Sequence, residues 1–235
     1  MRVVILCGGK GTRAYPYTEY MPKPMLMVNG TPILMQVIRL YTDQSFREFV
    51  LSVGHRKEVI EDYFHRKNMD FSVRCIDTGT EADTGDRIYG CRDVLEDTFM
   101  ATYADGLSDI DLQDLLRFHR SHDGLATITS VPLISQYGTV EADSDGRIVA
   151  FREKPVLREH WINAGFFVFD RAVFDHWEGR NLEREVFPAL ARKGLLYTYH
   201  HTGFFKSMDS YKDQIEIEQL VQGGDIPWKR KAVAV

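Results

Sequence analysis

The sequence predicts an α/β fold with a Rossmann-like, doubly wound mixed sheet. Short apolar runs bounded by glycine, such as residues 3–6, are typical of strands buried on both faces of a parallel sheet. Such runs alternate with amphipathic helical segments through residue 131, which is the chain order of a doubly wound sheet. After residue 135 the pattern changes to a hairpin around Asp145-Gly146. We therefore expect a small β-hairpin and helical addition to the sheet.

The individual elements follow from the spacing of apolar residues. Strands are predicted where apolar residues run together or alternate, and helices where they recur every three or four positions. Pro32 starts the first helix, at a position where no N–H donor is needed. The predicted strands are residues 3–6, 49–53, 71–76, 99–103, 126–131, 138–143, 148–153 and 166–169. The predicted helices are residues 32–41, 55–64, 112–122 and 211–221.

Composition and length limit the classes of protein. The 235 residues suffice for one α/β domain, residues 1–235, and no repeat or long linker divides them. The net charge of -5 gives no general attraction to nucleic acid. Three scattered cysteines without metal or redox spacing suit a reducing compartment. The apolar start is too short for a signal peptide, and no run is long enough to span a membrane, so we expect a cytoplasmic protein.

A glycine-rich turn follows the first predicted strand, with the sequence Gly-Gly-Lys-Gly-Thr-Arg at residues 8–13. Glycines let several backbone N–H groups approach one anion, and Lys10 and Arg13 add positive charge. The spacing fits neither the P-loop nor the dinucleotide-binding motif. A tight strand-to-loop turn is the alternative interpretation, but the flanking cations favour a phosphate site.

Three charged residues elsewhere complement this turn. Lys23 stands between Pro22 and Pro24, which restrict the backbone, and its ammonium group is suited to neutralising a phosphoryl group. Asp105 ends a predicted strand, where with Asp209 it would form a two-carboxylate magnesium site. The alternatives are a surface loop for Lys23, a turn for Asp105 and a helix N-cap for Asp209.

Two further motifs carry groups that bind sugars and phosphates. Glu-Lys-Pro at residues 153–155 offers a carboxylate for hydroxyl groups and a cation for a sugar phosphate. Asn-Ala-Gly at residues 163–165 offers an amide that can both donate and accept. An ordinary strand end is the alternative for the charged pair.

In this order, the motifs resemble those of the sugar-1-phosphate nucleotidyltransferases. Within that family the chain looks most like the glucose-1-phosphate cytidylyltransferases, through residues 76–87, 102–106, 203–209 and 227–229. The resemblance implies the nucleotide-diphospho-sugar transferase type of fold. It implies an enzyme that transfers a nucleotidyl group from an NTP, with CTP favoured, to a sugar 1-phosphate, with glucose 1-phosphate favoured, releasing pyrophosphate.

The resemblance also implies roles for single residues. Arg13, Lys23 and Asp105 would be catalytic, and Asp105 and Asp209 would hold Mg²⁺ as the cofactor. Residues 1–131 would mainly bind the NTP and residues 132–235 the sugar phosphate, in a homo-oligomer. The implied nucleotide contacts are Leu6, Cys7, Gly8, Gly9, Lys10, Gly11, Thr12, Arg13, Lys23, Thr84, Gly85, Arg87 and Ala104. The implied sugar-phosphate contacts are Gly138, Glu153, Lys154 and Asn163.

Two departures from the cytidylyltransferase pattern leave the base and the sugar open. Only residues 68–75 stand where those enzymes carry a longer insertion, and Met21 stands where they tend to have a lysine. The same chemistry with dTTP, UTP or GTP, or with another sugar 1-phosphate, is therefore an alternative.

Three alternatives change the function itself. A glycosyltransferase would use a D-x-D metal motif, but Asp109-Ile110-Asp111 precedes a predicted helix and is interpreted as capping. A non-catalytic sugar-nucleotide sensor would be expected to lack some of the charged residues. The Glu-Lys-Pro and Asn-Ala-Gly motifs disfavour an enzyme of lipid or choline phosphates.

Overall fold

A computed structural model describes residues 1–12, 17–224 and 226–229. The strands are β1 (Arg2–Leu6), β2 (Met27–Val28), β3 (Thr31–Pro32), β4 (Glu48–Val53), β5 (Ser72–Asp77), β6 (Thr98–Tyr103), β7 (Gly106–Ser108), β8 (Ala126–Ile134), β9 (Thr139–Ala142), β10 (Ile148–Arg152), β11 (Val156–Asp170), β12 (Leu196–His200) and β13 (Phe205–Ser207). The helices are α1 (Ile33–Thr42), α2 (Lys57–His65), α3 (Thr84–Tyr89), α4 (Leu112–His119), α5 (Phe187–Arg192) and α6 (Tyr211–Gln222). Short 3-10 turns include Lys23–Met25, and Leu182–Val186 is a π-helical turn.

A seven-stranded mixed sheet forms the centre of the fold, in the order β12-β8-β11-β6-β1-β4-β5. Strand β1 pairs in parallel with β4 and β6, whereas β11 runs antiparallel to both β6 and β8. The predicted mixed α/β sheet is therefore confirmed. Strands from both halves of the sequence pair within it, because β8, β11 and β12 extend the sheet beyond β6.

Hydrophobic packing covers both faces of this sheet. Val3 and Ile5 of β1 lie in one buried cluster with α1 and α4, whereas Val4 lies in another with α3 and α5. All three side chains are fully buried. Alternate residues of one strand thus enter opposite layers, which explains why the β1 sequence is continuously apolar. None of the helices in the described part of the chain combines the length and apolar character needed to cross a membrane.

Most predicted elements are found with small shifts of their ends. The larger shifts are in α4, which ends three residues earlier than predicted, β8, which ends three residues later, and β11, which begins ten residues earlier. The structure adds elements that sequence patterns did not predict: α3, α5, β2, β3, β7, β12 and β13. All of these have six residues or fewer, too few for a period to show.

The predicted hairpin is present as a separate two-stranded sheet of β9 and β10. Its turn contains Gly146 at φ +82°, a left-handed conformation that glycine adopts without a steric penalty. Large apolar side chains of the hairpin remain exposed, including Val140 and Phe151. The hairpin lies outside the central sheet and contributes little to its core.

A second small sheet brings distant residues together at the carboxyl end of β6. Strand β7 follows Asp105 directly and pairs antiparallel with β13, with Gly106 opposite Ser207. The backbone N–H of Met208 donates to the carbonyl of Asp105 at 3.0 Å. This pairing places Asp105 and Asp209 side by side, although they are 104 positions apart in the sequence.

Candidate active site

Lys23 begins a short 3-10 turn between its two prolines. The Met25 N–H donates to the carbonyl of Pro22 at 2.8 Å, and the Leu26 N–H donates to that of Lys23 at 3.1 Å. Pro24 and Met25 are buried, so the turn is anchored on the core. The Lys23 side chain is only 13% exposed. The fixed proline backbone therefore holds this lysine in one place.

The Lys23 ammonium group bridges two carboxylates. Its Nζ donates to Asp105 Oδ2 and, at 3.1 Å, to Asp209 Oδ1. The other Asp209 oxygen accepts from the Ser207 hydroxyl at 3.0 Å. The two carboxylates are partly shielded from solvent, at 19% and 35% exposure, which strengthens the attraction relative to a surface pair. The three groups together carry a formal charge of minus one.

Neighbouring residues, and not Asp209 itself, cap helix α6. Ser210 is the N-cap and forms a capping box with Asp213. Asp213 Oδ2 also accepts from the backbone N–H of Asp209 at 3.1 Å. Lys206 Nζ donates to Glu216 at 2.6 Å and joins β13 to α6. The N-cap interpretation of Asp209 is therefore wrong, and the capping box instead holds the Asp209 backbone in place.

The glycine-rich turn packs closely against its surroundings. Gly11 has φ +61°, and a Cβ there would lie 2.9 Å from the Cβ of Lys23 and from Thr18 Cγ2. A Cβ on Gly8 would overlap the guanidinium of Arg87. Two of the three glycines are thus required by close contacts in the structure itself.

Arg87 lies beneath this turn. It is only 4% exposed, and its Nη1 donates to the Thr78 hydroxyl at 3.1 Å and to the Gly79 carbonyl at 3.3 Å. Burial lowers the pKa of the guanidinium below its ordinary value, and that ordinary value is so high that the group stays charged. Arg87 supports the turn from inside, with its buried charge next to the backbone of Gly8.

A cavity of about 600 Å³ opens at the carboxyl ends of β1 and β6. Residues from the glycine-rich turn, the Lys23 turn, β11 and β13 meet around it. The predicted site residues that line it are Leu6, Cys7, Gly9, Gly11, Lys23, Thr84, Ala104, Asp105, Asn163 and Asp209. Asn163 lies beside a shift in the β11 register, and its Oδ1 accepts from the Gly165 N–H at 2.9 Å. The structure therefore collects most of the predicted site in one place.

A second cavity, also about 600 Å³, adjoins the glycine-rich turn. Gly9 and Gly11 line both cavities, and Lys10, Thr12 and Arg87 line the second one. Lys10 Nζ forms an exposed ion pair with Glu81 at 2.6 Å. Arg13 lies outside the described residues.

Among the described residues, five predicted contacts line neither cavity: Gly8, Gly85, Gly138, Glu153 and Lys154. Gly138 precedes β9, and Glu153 and Lys154 are exposed in the turn after β10. A Cβ on Gly138 would lie 3.0 Å from Glu153 Oε2, so these two residues are neighbours. Gly85 is buried in α3, where a Cβ would meet the Arg180 carbonyl at 2.6 Å.

Tyr103 and Glu183 also line the first cavity, although no sequence motif assigns them to it. The Tyr103 hydroxyl donates to Glu183 Oε1, and the Thr84 hydroxyl donates to Glu183 Oε2 at 2.8 Å. Burial raises the pKa of Tyr103, so its hydroxyl stays protonated and remains a donor. Glu183 lies in the π-helical turn, a rare conformation that is frequent at functional sites.

The D-x-D alternative does not form a metal site here. Asp111 caps α4 by accepting from the Asp114 N–H at 2.9 Å, as the sequence predicted. Asp109 pairs with His201 Nε2 at 2.8 Å. Both carboxylates thus have structural partners at the start of a helix.

Asp105 and Asp209 fit a magnesium ion. Within residues 1–12, 17–224 and 226–229, no cluster of three or more acidic, histidine or cysteine residues forms a complete protein cage for a metal. Mg²⁺ does not need one, because it keeps several waters and binds through one or two carboxylates plus substrate phosphates. Both carboxylates already hold a cationic group, the Lys23 ammonium. The two carboxylates are therefore ligands of the kind that Mg²⁺ binds.

Sequence comparison defines the class of protein. The model of the nucleotidyl transferase family matches residues 2–200, a span that contains the glycine-rich turn, Lys23, Asp105 and Asn163. The chain belongs to this family, whose substrates are an NTP and a sugar 1-phosphate.

Individual relatives agree with this assignment. The chain is 35% identical to a probable glucose-1-phosphate cytidylyltransferase from Bacillus subtilis, over 97% of this chain and 99% of the relative. It is 33% identical to a UTP–glucose-1-phosphate uridylyltransferase from Synechocystis, over 83% of this chain and 56% of the relative. The Bacillus alignment spans 254 positions against 235 residues here, so that relative contains insertions.

A solved structure shows the same fold. HddC from Yersinia pseudotuberculosis, in a complex with GMP-PN, matches with a TM-score of 0.73 at 22% identity. The match covers 94% of this chain and 99% of HddC. The predicted nucleotide-diphospho-sugar transferase type of fold is confirmed, and the chain is a sugar-1-phosphate nucleotidyltransferase similar to the glucose-1-phosphate cytidylyltransferases.

Proposed function

We propose that this enzyme transfers a cytidylyl group from CTP to glucose 1-phosphate, giving CDP-glucose and pyrophosphate. The observation that carries the chemistry is the Lys23 ammonium group between two carboxylates, on the wall of a cavity that the glycine-rich turn also lines. Cations and backbone N–H groups are what a triphosphate requires, and two carboxylates are what its magnesium ion requires.

In the proposed reaction a phosphate oxygen of the sugar 1-phosphate attacks the α-phosphorus of the NTP. The new bond is P–O, the bond from the α-phosphorus to the bridging oxygen breaks, and pyrophosphate leaves with the electron pair. The attacking oxygen is already ionised, so no protein general base is needed. The main obstacle is repulsion between two anions, which Lys23 and, in this assignment, Arg13 reduce. Holding the reactants in line supplies much of the remaining rate.

Asp105 and Asp209 would hold Mg²⁺ in this assignment. When bound, the ion would neutralise phosphate charge and help to orient the triphosphate. The chain's own contribution is to keep both carboxylates together, through the β7–β13 pairing and the Asp213 capping box.

The sugar phosphate is assigned to Asn163 and, as implied by resemblance, to Gly138, Glu153 and Lys154. Asn163 lines the cavity, whereas the other three lie at the β9–β10 hairpin. Their assignment therefore requires the bound sugar phosphate to reach from the cavity to the hairpin. A cytoplasmic location and a homo-oligomeric state remain predictions.

The choice of CTP and glucose 1-phosphate is supported by the Bacillus relative, and the Synechocystis relative shows that related chains use another base. The test is a panel of five NTPs against several sugar 1-phosphates, scored by pyrophosphate release with and without EDTA. We expect CTP with glucose 1-phosphate to be fastest, and EDTA to abolish release. Another preferred pair would overturn the specificity, and no release with any pair would overturn the reaction.

A further inference from the structure

Glu183 contributes a third carboxylate to the cavity that Asp105 and Asp209 also line. Its carboxylate lines this cavity together with Tyr103, Thr84 and Asn163. Neither the proposed phosphate chemistry nor the proposed magnesium site makes use of it.

The Glu183 side chain is exposed on the cavity wall, and two hydroxyl groups hold its carboxylate. Each of its oxygens accepts one hydroxyl, Oε1 that of Tyr103 and Oε2 that of Thr84. The Tyr103 ring packs edge-on against Phe167 at 5.5 Å, and the Leu182 N–H donates to the Thr84 hydroxyl at 2.9 Å. These contacts fix the position of the carboxylate before any substrate arrives, which is the condition for a specific contact.

The charge of Glu183 defines what it can bind. An ionised carboxylate repels phosphate groups, so it would weaken the binding of any phosphate placed against it. It accepts about four hydrogen bonds in all, and Tyr103 and Thr84 supply two of the donors. A neutral group with O–H donors is the substrate part that suits this wall.

The other lining residues fit a sugar ring. Ile162, Ala164, Phe205 and Leu6 contribute apolar surface to the same cavity, and such surface packs against the C–H groups of a ring. Asn163 adds an amide that can pair with further hydroxyls. A carboxylate beside apolar surface is a combination that recognises a polyhydroxylated ring.

We propose that Glu183 is a specificity-determining residue that accepts hydrogen bonds from ring hydroxyl groups of a substrate. The proposal rests on the proposed function, because that reaction supplies two such rings. They are the hexose of the sugar 1-phosphate and the ribose of the NTP. A site that hydrogen-bonds a hydroxyl discriminates against the analogue that lacks it, since an acceptor covered by the bound substrate is then left unpaired.

The test compares Glu183→Gln with wild type on complete and deoxygenated substrates. One arm uses glucose 1-phosphate against its 2-, 3-, 4- and 6-deoxy analogues, and the other uses each NTP against its 2′-deoxy form. We expect wild type to discriminate about 10- to 100-fold against the analogue that lacks the recognised hydroxyl. In Glu183→Gln this ratio should shrink by about tenfold, with a larger effect on KM than on kcat. If the ratio changes with the deoxy sugar 1-phosphates, Glu183 contacts the hexose; if it changes with the 2′-deoxy NTPs, Glu183 contacts the ribose.

Glu178→Gln is the matched control. Glu178 is an exposed carboxylate near the same π-helical turn, paired with Lys193 at 2.6 Å, and it lines neither cavity. Its loss should leave all discrimination ratios as in wild type.

Tyr103→Phe tests the positioning of the carboxylate separately. The ring packing against Phe167 can persist while the hydroxyl donor to Glu183 is lost. We expect the same hydroxyl discrimination to fall, by less than in Glu183→Gln, with thermal stability close to wild type. This variant keeps the proposal falsifiable if Glu183→Gln fails to fold.

The outcomes separate the two proposals. Wild type that releases no pyrophosphate from any substrate pair contradicts the proposed function. Active wild type with unchanged discrimination in both arms of Glu183→Gln or of Tyr103→Phe overturns the role of Glu183, while the reaction itself stands.

Discussion

Lys23 and Asp105 form an ion pair at the carboxyl end of the central strand β6, although 82 residues separate them in the chain. The pair is shielded from solvent, and Lys23 also reaches Asp209. One ammonium group thus neutralises half of the negative charge of two carboxylates at the place where we propose that phosphates and magnesium bind.

Replacing Lys23 by methionine should reduce turnover at least about 100-fold, because removal of a preorganised charge acting on the transition state costs that much. The straight methionine side chain retains most of the packing. Pyrophosphate release measures the effect, and circular dichroism confirms the fold. Lys193→Met removes another ion-paired lysine, from the exposed pair with Glu178, and should keep wild-type activity. Activity of Lys23→Met within a few-fold of wild type would remove Lys23 from the mechanism.

Lys23 and a divalent cation should compete for Asp105 and Asp209. We expect Lys23→Met to bind Mn²⁺ at least about tenfold more tightly than wild type in the absence of nucleotide, since the ammonium group that pairs with both carboxylates is lost. Asp209→Asn should bind it more weakly. Free Mn²⁺ measured by electron paramagnetic resonance reports the affinity without any turnover. Equal affinity of Lys23→Met and wild type would show that the ammonium and the metal do not share these carboxylates.

Gly11→Ala should reduce activity by displacing Lys23. The new methyl group would lie 2.9 Å from the Lys23 Cβ, in addition to the strain at φ +61°. Gly30→Ala is the matched control, because Gly30 has φ +73° and no atom within 4 Å of an added Cβ. Both variants should lose roughly 1 kcal/mol of stability from the backbone. Thermal melts measure the backbone strain in each variant, and pyrophosphate release measures the effect of displacing Lys23. Equal losses of activity in the two variants would contradict a contact between residue 11 and Lys23.

The free energy of unfolding should fall as the pH drops from 7 to 5. His119 is 2% exposed, bonds Thr127 through Nδ1 at 2.8 Å, and lies 3.4 Å from Asp170. Burial lowers its pKa despite the opposing effect of Asp170, and Arg120 lowers it further; burial also lowers the pKa of the neighbouring His122. Below its ordinary pKa of about 6.5, the unfolded chain therefore takes up protons that the folded chain does not.

Each such proton contributes a slope of up to about 1.4 kcal/mol per pH unit. Urea unfolding at several pH values measures it, and His119→Asn should flatten the profile even if it lowers stability overall. A profile of unchanged slope in His119→Asn would exclude His119 as the source.

The sequence predicts the strands and helices that have a strong hydrophobic pattern. It also predicts that the polar residues at the carboxyl ends of the strands lie in one site. The continuous apolar sequence of β1 and the apolar strand before Asp105 predict a parallel sheet. The carboxyl ends of the strands in such a sheet predict where the cavity lies. Lys23, Asp105 and Asp209 were assigned from motif order and resemblance, and their mutual contacts follow from the β7–β13 pairing. That pairing involves three-residue strands, which have no detectable period.

Glu183 was not predictable for a different reason. It enters the cavity because a π-helical turn at residues 182–186 adds an extra residue to the local winding. No spacing rule for ordinary helices or strands reports such a turn. The roles of Gly138, Glu153 and Lys154 came from resemblance alone, and a contact between the separate hairpin and a substrate depends on geometry that local sequence does not encode.

The hydrogen bond from Lys23 to Asp209 has a consequence for folding. The two residues are 186 positions apart, so the three charged groups assemble only after nearly the whole chain has been synthesised and paired. Contacts this distant in sequence are slow to form, because the entropy of closing the loop is lost before they stabilise anything. A nascent chain that ends before Asp209 would carry two opposed charges, Lys23 and Asp105, without the third. Recovery of catalytic activity during refolding would therefore report the last long-range step, after the secondary structure has returned.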